Sequence, residues 1–106
     1  MKRGFIMEAQ FVSRVVEEFQ DGEIIEVKRL NEQGILVNIF YRYRRILRDE
    51  NGKRDDSLLE EERLYYRKLG LEDAHDQVCN EEAGEIIDLW LKMKAEKAGR
   101  ELLGLE

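Results

Sequence analysis

At 106 residues and 12.6 kDa, with 42% hydrophobic and 40% charged residues, the chain is expected to form one domain with a modest core under a charged surface. That balance excludes a disordered acidic tail, which lacks the apolar surface to offset chain entropy. The net charge of −6 weighs against a general nucleic-acid binder, which is usually basic. A single cysteine, Cys79, excludes an internal disulfide, no apolar run nears the roughly 18–20 residues that span a bilayer, and no secretory leader is legible. A cytoplasmic protein that does not enter membranes is expected.

The first predicted element is a helix over Met7 to Phe19. Phe11, Val12, Val15, Val16 and Phe19 recur at helical spacing, and Asp21-Gly22 ends the segment with a turn signal. Next, "EIIEVKRLNEQGILVNIFYRYRR" reads as a β-hairpin. Asn31 suits the first position of a type I turn and Gly34 the left-handed position after it. The register this loop implies sets Val27 opposite Ile39, Ile25 opposite Tyr41 and Glu23 opposite Tyr43, with Glu26 opposite Phe40 on the alternate face. Ile35, Leu36, Ile39, Phe40, Tyr43, Ile46 and Leu47 also fit an amphipathic helix, so strand and helix compete over Ile35–Arg48.

"RDENGKRDD" is a loop with Asn51-Gly52 at its tip. Ser57 and Glu60 form a capping-box pattern for a helix over Leu58 to Leu69, and Gly70-Leu71 forms a C-cap pattern. From Glu72 the chain reads as helical to about Leu103, with Asn80 able to cap a second segment. The expected fold is α+β, one domain over 1–106: an N-terminal helix, a β-hairpin, and two or three C-terminal helices. An all-α bundle is the alternative.

Candidate contact residues come from two stretches. In "NIFYRYRRILR", Phe40 alternates with Arg42 and Arg44, and Arg45 and Arg48 follow. Arginines beside an aromatic suit a protein hot spot and also a stacking platform for single-stranded nucleic acid. In "EIIDLWLKM", Ile86, Trp90 and Met93 suffice for an internal face, which leaves Ile87 and Leu91 for contact with another chain. Basic residues concentrate in 42–54 and acidic ones in 72–88.

Chemistry finds little support in the sequence. His75 and Cys79 are one helical turn apart with Glu82 following, but zinc commonly takes four ligands and the chain holds one His and one Cys. No metal or other cofactor is expected. No phosphate-binding glycine loop occurs, and the acids of 73–85 fit a solvated helix face better than a catalytic pair. The expectation is a non-enzymatic interaction module: a small acidic regulator or inhibitor acting by binding a protein partner, with self-association possible. Phage and mobile-element proteins that block nucleic-acid enzymes are of this general type. Single-stranded nucleic-acid binding is the alternative.

Overall fold

The computed structural model describes residues 10–104: a three-stranded antiparallel sheet followed by two helices, in the order β1 (Gln10–Phe19), β2 (Gly22–Leu30), β3 (Leu36–Arg45), α1 (Ser57–Lys68) and α2 (Glu72–Leu103). The α+β class holds, and β2 is the central strand. The N-terminal helix does not. Its described part is β1, and Met7 to Ala9 lie outside the described residues.

Three valines and two phenylalanines in ten residues suit a pleated strand. The helical spacing is produced by a bulge. Val15 pairs with Ile25 but Glu17 with Ile24, so Val16 is inserted and the in–out alternation changes phase. The turn into β2 then commits the segment to a sheet. Gln20 and Asp21 take φ of 53° and 58°, as in a two-residue hairpin whose twist matches its strands. Gly22 is needed for a different reason: the Tyr43 ring lies where any Cβ would collide, and its hydroxyl donates to the Gln20 carbonyl.

The β2–β3 loop forms as its residues predict. Asn31 Oδ1 accepts from the amides of Gln33 and Ile35, both at 2.9 Å. Gly34, at φ +81°, donates to the Asn31 carbonyl at 2.9 Å. "DENGK" repeats this turn: Asp49 Oδ1 accepts from Asn51 and Lys53, both at 2.9 Å, and Gly52 sits at φ +79°. A Cβ at position 34 would meet no neighbour, so Gly34→Ala isolates the backbone penalty. It should cost about 1 kcal/mol in urea unfolding. A stabilised variant would show that the left-handed geometry is not needed.

Beyond the loop the register differs from the expected one. Leu30 pairs with Leu36 as the loop requires, but Arg29 pairs with Asn38, so Val37 is an extra residue. Every later pair is displaced by one: Val27 meets Phe40, Ile25 meets Arg42, and Glu23 meets Arg44. Ile25 and Val27 therefore share a face with Phe40 and Arg42, instead of with Ile39 and Tyr41.

Helix α2 covers the other face. Trp90 is its buried residue, 5% exposed, with its ring edge-on to Tyr41 at 5.0 Å. Lys94 Nζ reaches Glu17 at 2.7 Å, and Ile24 between them is fully buried. The helix is continuous, so Asn80 caps nothing. In α1 the expected capping box is absent. The helix starts at Ser57, with Asp56 in the N-cap position and no side-chain cap bond, and the Ser57 hydroxyl donates to Asp55 Oδ1 at 2.6 Å instead. The C-cap is as expected: Gly70, at φ +73°, donates to the Arg67 carbonyl, and Leu71 to that of Tyr66.

The buried apolar set among the described residues is small: Ile24, Val27, Ile46 and Trp90. The radius of gyration is 18.3 Å, against about 13 Å for a compact domain of this length. The surface area is 8319 Å², against about 6,200 Å² for a monomer of this mass. Among the described residues much apolar surface is left exposed.

Candidate interaction surface

The face of the sheet turned away from α2 can be read row by row from the pairing. Val15, Ile25 and Arg42 cross it in one row, Ser13, Val27 and Phe40 in the next, and Phe11, Arg29 and Asn38 in the third. Val27 is buried beneath its neighbours, while Phe11 is 60% exposed and Phe40 38%. Together with Ser13, Ile25 and Arg42 they line a groove of about 650 Å³. Ile25 and Val27 on β2 form its centre, and the flanking strands supply both aromatic rings, Phe11 and Phe40, and polar groups, Ser13, Arg42 and Arg44. The hairpin end exposes apolar side chains on the other face as well, Ile39 opposite Lys28 and Leu36 opposite Leu30.

At the opposite margin lies Glu23, 4% exposed. It accepts from Arg44 at 3.2 Å and from Arg54, whose Nε also reaches Asp56 at 2.9 Å. These two guanidiniums, Arg54 first, hold the Glu23 carboxyl below its ordinary range against the opposing effect of burial. The network ties the loop after β3 back onto β2.

The predicted contact residues are thereby separated. Phe40 and Arg42 lie on the open face together. Arg44 shares that face but is paired with Glu23. Arg45 points to the helix side and binds Glu62 of α1. Arg48 donates to the Gly52 carbonyl at 3.3 Å, within its own loop. Ile87 and Leu91 sit on α2, across the sheet from Phe40, half-buried and 41% exposed respectively. Phe11, Val15, Ile25 and Val27, which complete the patch, were missed. They were assigned to a helix or to the inner face, and the two bulges that turn them outward leave no simple sequence signal.

A second cluster lies between the helices. His75 Nε2 is 2.9 Å from Glu62 Oε1 and 3.6 Å from Cys79 Sγ. The His75 ring stacks on Tyr66 with centroids 3.9 Å apart and planes 8° from parallel. Arg45 binds the same Glu62 carboxylate, and burial pushes the Cys79 thiol up. Glu82, the expected third member, instead lines a small neighbouring cavity with Tyr43, Arg45 and Asn80.

No helix among the described residues is long and apolar enough to cross a membrane. No protein-family model, curated protein or solved structure matches the chain.

Proposed function

We propose that the protein is a non-enzymatic interaction module, a small cytoplasmic regulator or inhibitor that binds a protein partner through the open face of its sheet. The observation that supports this is the face itself: Phe11, Val15 and Phe40 stand exposed around Val27 and Ile25, with no element of the described chain laid over them. Contiguous apolar surface of this kind marks a binding site in soluble proteins. The excess surface, about 2,000 Å² over a compact monomer, is of the order one partner buries in a large interface.

Nucleic acid is the second reading, carried by Phe40 and Phe11 beside Arg42 and Arg29. It is weaker because the groove floor is aliphatic, and because Arg44 and Arg45 are engaged with Glu23 and Glu62.

Nuclease-treated pull-downs from the source cell, with sedimentation of the purified chain, test the choice. Phe40→Glu should weaken the partner complex or self-association at least tenfold without shifting the melting curve. Leu91→Glu, on the far side of the sheet, should leave binding through this face intact. A partner unaffected by Phe40→Glu, or a salt-resistant sub-micromolar complex with single-stranded DNA, would overturn the proposal.

A further inference from the structure

Three ligand-type side chains of different chemistry converge from two helices: a carboxylate from α1, an imidazole and a thiol from α2. Glu62 Oε1, His75 Nε2 and Cys79 Sγ all lie within 4.8 Å of one another. Four-coordinate zinc, with bonds of about 2.0–2.3 Å, separates N and S ligands by about 3.5 Å and N and O ligands by about 3.3 Å. The corresponding separations here are 3.6 Å and 2.9 Å. Glu62 Oε1 and Cys79 Sγ lie within 4.8 Å, against about 3.5 Å in such a site, so an ion would be taken up with a shift of the Glu62 rotamer that opens it from His75.

We propose that Glu62, His75 and Cys79 form a binding site for a divalent transition cation, with the chemistry of a zinc site, that fastens α1 to α2. One imidazole nitrogen, one thiolate and one carboxylate suit zinc in particular, while calcium and magnesium want oxygen alone. Cys79 also lines a small cavity of about 120 Å³ with Tyr43, Arg45, Asn80 and Glu82, which has room for a water. Two features orient the ligands. Tyr66 holds the imidazole plane by stacking. Arg45 donates to Glu62 Oε1 and so holds the carboxylate in place, and a bound ion would share that oxygen or take the carboxylate's other one.

The local charge is also suitable. Glu62, Glu82 and Asp76 all bear on the Cys79 sulfur, against the single cation Arg45. Binding displaces the thiol proton to solvent and leaves the ring proton of His75 on Nδ1, so no redox partner is needed. The fold gives such a clip a purpose. Helix α1 buries no residue of its own, and beside the Tyr66–His75 stack it is tied to α2 by exposed ion pairs of Arg67 and Arg63 with Glu72, at 2.9 Å and 3.6 Å.

Cobalt(II) titration of the reduced full chain, with zinc as competitor, tests the site. The expected result is a one-to-one complex with a thiolate-to-cobalt charge-transfer band and the d–d bands of a four-coordinate ion, displaced by zinc. The band should vanish in Cys79→Ser. Glu62→Gln, which keeps the side-chain shape, should weaken binding by about ten- to a hundredfold. Zinc should raise the melting temperature of the wild type but not of Cys79→Ser. No charge-transfer band at a tenfold excess of cobalt would overturn the proposal. So would a band unchanged in both Glu62→Gln and His75→Gln, which would mean that a lone thiol scavenges the metal. Neither outcome bears on the open sheet face.

Discussion

Trp90→Ala should release α2 from the sheet. Trp90 is the residue that α2 buries, it packs edge-on against Tyr41, and it is one of only four buried apolar residues among those described. Truncating a buried aromatic costs about 3–5 kcal/mol. That is a large part of the roughly 5–15 kcal/mol a domain commands. The buried indole Nε1 lacks a partner within hydrogen-bond geometry, and the Glu17 carboxylate, held low first by Lys94, lies close to it. Trp90→Phe therefore keeps the ring contact with Tyr41 while deleting an unpartnered N–H, and should cost much less than Trp90→Ala. Urea unfolding followed by circular dichroism separates the cases. If Trp90→Ala melts within 1 kcal/mol of wild type, then α2 is held by contacts other than this one.

The second large effect is expected at Glu23. Its carboxylate is buried, bonded to Arg44 and Arg54, and joins β2, β3 and the following loop. Glu23→Ala should cost about 2–3 kcal/mol, the range for charge-assisted bonds lost at a buried site. The two guanidiniums it releases keep much of their solvent, so the penalty stops short of that for a fully buried pair. The pH dependence has a definite sign. The folded carboxyl is held below its ordinary value of 4.5, so the folded state binds this proton less readily than the unfolded state. Its contribution is complete above about pH 4.5 and is lost as pH falls through the lower, folded value. Glu23→Gln should flatten the acid limb of the stability profile in that window. An acid limb identical to that of the wild type would remove Glu23 as its source.

Local chemistry was legible wherever a few neighbouring residues decide the outcome. Asn31 and Gly34 specify their turn, Gly70-Leu71 ends α1, and the acidic start and basic end of α1 suit its dipole. Of the residues expected to make contacts, Phe40 and Arg42 stand together on the open face, while Arg45 and Arg48 are engaged inside the fold. The third member of the thiol–imidazole cluster was hidden because Glu62 comes from another helix, and separation along the chain says nothing about convergence across an interhelical contact.

By itself the sequence determined the α+β class, the hairpin with its loop, and a helical C-terminal part, with two or three helices left open. All of these rest on turn residues, caps and periodicities read over a few positions. Tertiary structure alone decided three things. It made Gln10–Phe19 a strand, because β2 offers a backbone edge that an isolated helical pattern cannot anticipate. It chose the outward face of the sheet, because single inserted residues at Val16 and Val37 reverse the side-chain alternation beyond them. It chose which of the arginines remain free, because Glu23 and Glu62, distant in sequence, reach them first.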